Sequence, residues 1–64
     1  MDYKAIRKLR GWSQFQTAKE LGISINTWIQ WERGVSKPNK ENMEMLKEAF
    51  SNELAILQTR KGGE

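Results

Sequence analysis

Signals that start and stop helices follow one another at short intervals along the first 40 residues of this 64-residue chain. Residues 2–10 carry apolar side chains at helical spacing, and Gly11 follows them as a stop. Ser13 with Gln16 is typical of a capping box, in which the serine oxygen accepts from the Gln16 amide and the glutamine side chain reaches back. Strand signals are absent, because there is no sustained alternation of apolar and polar residues. The sequence therefore predicts an all-α fold.

Two further helices are predicted around a short turn. Gly22 would end the second helix in the left-handed conformation, and Ser24 would cap a third helix that starts at Ile25 and stops at Gly34. A short glycine-containing turn between two steeply crossing helices is the helix-turn-helix arrangement.

Beyond Pro38, Asn39 is expected to cap another helix. The apolar residues there fit two interpretations. In one, a single long helix carries an unbroken apolar stripe; in the other, Ser51 caps a separate, short fifth helix. The residues of the stripe are Met43, Leu46, Phe50, Leu54 and Leu57. We expect a single domain over residues 1–60 and a disordered tail over residues 61–64.

A helical wheel divides the third helix into two faces. Trp28 and Trp31 fall on one face, which indicates core packing. The opposite face carries hydrogen-bonding side chains, which are either solvated surface or groups that read base edges; these are Asn26, Gln30 and Arg33. Ile25 and Ile29 share this outer face, where they would contact thymine methyl groups or another protein.

The positive charge is concentrated toward the start of the chain. Residues 1–40 contain eight Lys/Arg and three acidic residues, whereas residues 41–64 contain three Lys/Arg and five acidic residues. A basic segment is where a polyanion would bind, although such charge also serves ordinary solubility.

Composition excludes several classes of site. The chain has no cysteine and no histidine, which excludes disulfides and zinc sites of the Cys/His type. Neither paired carboxylates in an evident cleft nor a phosphate-binding glycine motif is present, so an enzyme is poorly supported and no cofactor or small-molecule ligand is expected. We expect a cytoplasmic protein, because no apolar run approaches the roughly 18 residues of a membrane span and no signal-peptide pattern opens the chain.

The segment SQFQTAKELGISINTWIQWERGVSKPNKENMEML resembles the Cro/repressor-type (XRE-like) helix-turn-helix domains of prokaryotes and phages. The likeness covers roughly residues 3–50, and its motifs have the family's spacing. The matching motifs are Ile6-Arg7, Ser13-Gln14, Ala18, Gly22, Trp31-Glu32-Arg33-Gly34 and Pro38. The resemblance implies a lambda-repressor-like bundle of four to five short helices.

The resemblance also implies roles for individual residues. Ala18 would allow the close approach of the second and third helices, and Arg7 would pair with Glu32. The recognition positions that contact bases would be Ser24, Ile25, Asn26, Ile29 and Gln30. The contacts to DNA phosphates would come from Gln14, Arg33, Lys37 and Lys40. The core would contain Ile6, Trp12, Leu21, Ile23, Trp28, Trp31 and Leu46.

Several residues depart from the family pattern. Thr17 stands where the family prefers leucine, which predicts a thinner core, and Phe15 is large for an exposed position. Ile29 replaces a small or polar residue. The glycine-containing break after the fourth helix is missing at Phe50-Ser51, near the end where the family often builds its dimer.

Two functional hypotheses follow. In the first, the protein is a sequence-specific regulator of the Cro/repressor type, which binds double-stranded DNA as a homodimer through its C-terminal region and reads a palindromic operator. In the second, the same fold is a protein-interaction module, such as an antitoxin-like subunit or an anti-repressor, with Phe15, Ile25 and Ile29 as apolar anchors.

Overall fold

The computed structural model describes the backbone of residues 1–62 and the side chains of residues 1–58. This part of the chain forms five helices, and the predicted all-α bundle with a helix-turn-helix is confirmed. The helices are α1 (Tyr3–Arg10), α2 (Gln14–Leu21), α3 (Ile25–Arg33), α4 (Lys40–Ala49) and α5 (Ser51–Gly62). Of the tail predicted over residues 61–64, the first two residues belong to α5, and residues 63–64 lie outside the described residues.

Side-chain caps define the beginnings of the first four helices. Ser13, Ser24 and Asn39 accept from the amides of Gln16, Thr27 and Asn42 at 3.0, 3.1 and 2.8 Å, as predicted. Asp2 caps α1 in the same way, through Ala5 N–H at 3.0 Å. Each cap satisfies an amide that has no partner within its helix.

The capping box predicted for α2 is only half formed. The Gln16 side-chain oxygen does not accept from Ser13 N–H; instead, the Gln16 amide nitrogen donates to Glu20 Oε2 at 2.7 Å, one turn further along the helix. The Gln16 side chain thus extends toward the carboxylate at i+4 on the exposed face of α2 and away from Ser13.

Glycines end α1, α2 and α3 in the left-handed conformation. Gly11, Gly22 and Gly34 have φ angles of 80°, 72° and 75°, which a side chain would strain. The reversal at Gly22 leaves only Gly22 and Ile23 between the end of α2 and the Ser24 cap, and α2 and α3 pack directly against each other.

The core lies beneath α3 and contains most of the residues expected there. Trp28 and Trp31 are buried, with ring centroids 5.9 Å apart in an edge-to-face arrangement. The other buried apolar side chains are Ile6, Ala18, Leu46 and Phe50, and those packed partly buried against them include Trp12, Leu21 and Ile23. Thr17 is also fully buried, and its hydroxyl donates to the Ser13 carbonyl at 2.8 Å.

The chain breaks between α4 and α5, so the interpretation as two helices is correct. Phe50 connects them with φ −112° and ψ 29° and is itself fully buried. Ser51 is the first residue of α5 rather than its cap. None of the helices in residues 1–62 is long and apolar enough to cross a membrane.

Candidate nucleic-acid interface

α3 presents a polar surface outward because its apolar anchors point inward. Trp28 is 0% and Trp31 3% exposed. Asn26, Gln30 and Arg33, on the other side of the wheel, are all exposed. Two amides and a guanidinium therefore project from one helix face. The amides can both donate to and accept from base edges, whereas the guanidinium can only donate, to base acceptors or to phosphates.

The two isoleucines of this face differ in accessibility. Ile25 is 37% exposed, at the first position of α3, whereas Ile29 one turn later is half-buried. Ile25 therefore offers the larger apolar contact surface. Phe15, on α2, is much more accessible at 65% exposure.

Ser24 caps the start of α3 and remains accessible to solvent. Its hydroxyl accepts from Thr27 N–H and lies 2.8 Å from the Thr27 hydroxyl, while the residue remains exposed. At the opposite end, the Gln30 carbonyl accepts from Val35 N–H at 3.0 Å, which folds the chain back over the last turn of α3.

Glu32, on α3, is the centre of a part-buried polar cluster. One oxygen, Oε2, accepts from Arg7 Nε at 2.5 Å and from the Trp28 indole N–H. The other, Oε1, accepts from Gln14 Nε2 at 3.2 Å. Arg7 also donates to the Trp12 carbonyl at 2.9 Å. The cluster thus joins α1, α2 and α3 at one point and contains the ion pair that the resemblance implies.

Opposing effects set the charge of Glu32. Burial alone would raise the pKa of this carboxyl group, but hydrogen bonds from Arg7, Gln14 and Trp28 outweigh it and lower the pKa below its ordinary value. Glu32 is therefore ionised at neutral pH and holds all three donors.

The residues expected to contact phosphates occupy different environments. Arg33, Lys37 and Lys40 are exposed, at the end of α3, in the connection that follows and at the first position of α4. Gln14 is half-buried at the first position of α2, with its amide nitrogen on Glu32. An amide group has two N–H donors, so this bond leaves one of them available.

A second ion pair, which the sequence patterns did not predict, joins α1 to α5. Arg10 Nε donates to Glu53 Oε2 at 3.0 Å, and Nη2 donates to Glu53 Oε1 at 3.1 Å. The partners lie 43 residues apart, so no local spacing pattern links them. In the sequence, this pair is indicated only by opposite charges on two helices that each carry an apolar stripe and could therefore pack together.

A family model described as a helix-turn-helix domain matches residues 4–61 of the chain. Searches of curated proteins and of solved structures returned no significant match. The matched range includes every helix around the turn and all of the residues predicted to contact DNA. Domains of this kind suggest a DNA-binding regulator and are generally not enzymes. The chain belongs to the helix-turn-helix domain family, of the Cro/repressor-like type.

Proposed function

We propose that this protein is a sequence-specific DNA-binding transcriptional regulator that places α3 in the major groove. The observation that carries the proposal is the division of α3, with Trp28 and Trp31 held inside and Asn26, Gln30 and Arg33 exposed along the outside. A helix of this width fits the major groove, where base pairs present distinct patterns of donors and acceptors.

The side chains of the outer face match specific base edges. Asn26 and Gln30 can each donate to and accept from adenine, through N7 and N6. Ile25 and Ile29 would pack on thymine methyl groups, and the exposed Ser24 would reach a neighbouring base or sugar. Contacts of this kind specify sequence, whereas contacts to the backbone set position.

Cations around α3 would supply the sequence-independent part of the affinity. Arg33, Lys37 and Lys40 are exposed and follow one another along the chain after the recognition positions. Gln14, together with the free amides at the start of α2, would bind a further phosphate. Because these contacts release counterions, binding should weaken steeply with salt.

We further infer that two copies bind together as a homodimer and repress transcription by occupying a palindromic operator. Each α3 would enter one half-site, with half-sites about 34–36 Å apart on one side of the duplex. Ile56 on α5 is 45% exposed, which supports a contact through the C-terminal region.

Selection from random duplexes at moderate salt tests the proposal. The protein should enrich a palindromic motif with half-sites about 10 base pairs apart. The Asn26→Ala/Gln30→Ala double variant should lose or change this motif, while Asn52→Ala, an exposed asparagine on α5, should retain it. Sequence-blind, salt-sensitive binding by the unaltered protein would contradict sequence-specific recognition.

The exposure of Phe15 favours a second candidate function, as a protein-binding module. Phe15 and Ile25 are 65% and 37% exposed, and aromatic and aliphatic side chains of this kind anchor protein interfaces. In that case the selection should yield no motif, and a Phe15→Ser variant should abolish binding to the partner protein without changing affinity for DNA. Loss of specific DNA binding in Phe15→Ser would argue against this separation of roles.

A further inference from the structure

The break between α4 and α5 is not explained by the sequence around it. Residues 39–61 contain neither glycine nor proline, and the apolar stripe through Phe50 continues from one helix into the next. The φ and ψ angles of Phe50 lie in a region that any residue can adopt. Ser51 and Asn52 are weak helix formers, which lowers the free energy needed for a break but does not require one.

The main-chain hydrogen bonds show what is lost at this junction. In a continuous helix, the Ala49 carbonyl would accept from Glu53 N–H. Across residues 49–54, the backbone bonds that join the two helices are instead Phe50 N–H to Leu46 O and Leu54 N–H to Phe50 O, both at 2.9 Å. The Ala49 carbonyl therefore needs another donor.

Arg10 provides that donor from a different helix. Its Nη2 lies 2.5 Å from the Ala49 carbonyl oxygen, and the same guanidinium holds both oxygens of Glu53. It also lies 4.8 Å from the ring centroid of Trp12 and 5.3 Å from that of Phe50. One side chain thus binds the last carbonyl of α4, the ring at the junction and the first turn of α5.

We propose that Arg10 is a conformational clamp that creates the break between α4 and α5, and that without it the segment 40–62 forms one continuous helix. In the continuous form, Glu53 N–H would bond to Ala49 O, and the helix would be about 34 Å long. α5 would then leave α1 and expose Leu54 and Leu57, which now pack partly buried against the core. The form broken at Phe50 (the bent form) and the form with one continuous helix (the straight form) are thus two discrete states, and Arg10 stabilises the bent form.

The test measures a distance that spans the two helices in the absence of DNA, so its outcome is independent of the proposed function. The chain has no cysteine, so spin labels can be attached to cysteines introduced at Glu41 and Gln58, which are both exposed. A straight helix places these positions about 25 Å apart, and the bent form places them closer. Pulsed spin-resonance distances then report the population of each form.

We expect Arg10→Met to shift the label distances toward about 25 Å. Arg10→Lys, which keeps the charge but not the fork of donors, should give an intermediate population. Amide exchange at Ser51, Asn52 and Glu53 should slow in proportion to the straight population, because these amides gain main-chain partners. Lys8→Met is the matched control, since Lys8 is an exposed cation on the same helix, and it should leave the distances unchanged.

Two results would overturn the proposal. In the first, Arg10→Met remains folded, with a cooperative thermal unfolding transition, and keeps the native label distance, which would assign the break to the packing of Phe50. In the second, Arg10→Met and Arg10→Lys both unfold without a straight population, which would make Arg10 an element of stability alone.

Discussion

Arg7 Nε lies 2.5 Å from Glu32 Oε2, so a guanidinium near the end of α1 is tied to a carboxylate near the end of α3. Their side chains are only 12% and 6% exposed. An ion pair with so little access to water is weakly screened by salt, and its loss on one side leaves an unpaired charge. The position of α3 therefore depends on a residue outside the helix-turn-helix itself.

Replacement of Arg7 by methionine should destabilise the protein by about 3 kcal/mol or more, because the Glu32 carboxylate would remain buried without its cation. The midpoint of chemical denaturation should fall while the denaturant dependence of the unfolding free energy stays constant. Lys4→Met on the exposed face of α1 is the control. Equal losses from both variants would show that the ion pair contributes nothing specific.

The stability of the protein should fall in acid. Hydrogen bonds from Arg10 lower the pKa of Glu53, against an opposing effect of burial, and donors around Glu32 lower its pKa in the same direction. The folded protein thus binds protons at these two carboxylates less readily than the unfolded chain does. Their contribution to the unfolding free energy is therefore present above the ordinary glutamate pKa of 4.5 and is lost as the pH falls below it. Without histidine, little change is expected between about pH 5 and 7.

Urea denaturation at a series of pH values measures this effect. The unfolding free energy should decline below about pH 4.5, and the decline should be shallower in the Glu32→Gln/Glu53→Gln variant. An identical acid slope in this variant would assign the loss to other carboxylates. Glu44→Gln, an exposed glutamate on α4, is the matched control.

The two phenylalanines should respond oppositely to truncation. Phe50 is 0% exposed and Phe15 is 65% exposed. Phe50→Ala should cost about 3–5 kcal/mol, through lost burial and a cavity, and much of the population would unfold in a domain this small. Phe15→Ala should change stability by less than about 0.5 kcal/mol. Thermal unfolding followed by circular dichroism distinguishes the two, and a large loss in Phe15→Ala would mean that its ring is covered in solution.

Removal of the Asn26 amide should relax sequence choice at one base position. Asn26→Ala should cost about 1–3 kcal/mol in binding to the selected operator and far less on unrelated DNA. Competition binding with single-base variants of the operator measures this. An equal loss of affinity for random duplexes would show that Asn26 does not contact a base specifically.

Lys37 should act on all sequences alike. Lys37→Ala should weaken operator and random DNA by similar factors and reduce the salt slope of binding by about one. Titrations at several salt concentrations give that slope. Lys47→Ala, an exposed lysine at the end of α4, should leave it unchanged. An effect of Lys37→Ala that is confined to the operator would contradict a phosphate contact.

Local patterns were sufficient to predict most of the fold. Capping at Ser13, Ser24 and Asn39 depends on residues three apart, and the two faces of α3 follow from helical periodicity alone. The Gln16 side chain was predicted wrongly because an amide can bond in two directions, by accepting from Ser13 N–H or by donating to the Glu20 carboxylate one turn further on. The Arg10 contacts were not predictable, because they join residues 39 and 43 apart that only tertiary packing brings together.

The division of α3 also bears on how such a domain can evolve. Inward residues determine whether the chain folds, and outward residues are free of core contacts, so new target sequences can be explored without loss of stability. Ser24 is the exception, because the hydroxyl that would face DNA also caps the helix. Libraries that randomise positions 25, 26, 29 and 30 should therefore yield many folded members, whereas variation at position 24 should be confined to the few residues that can begin a helix.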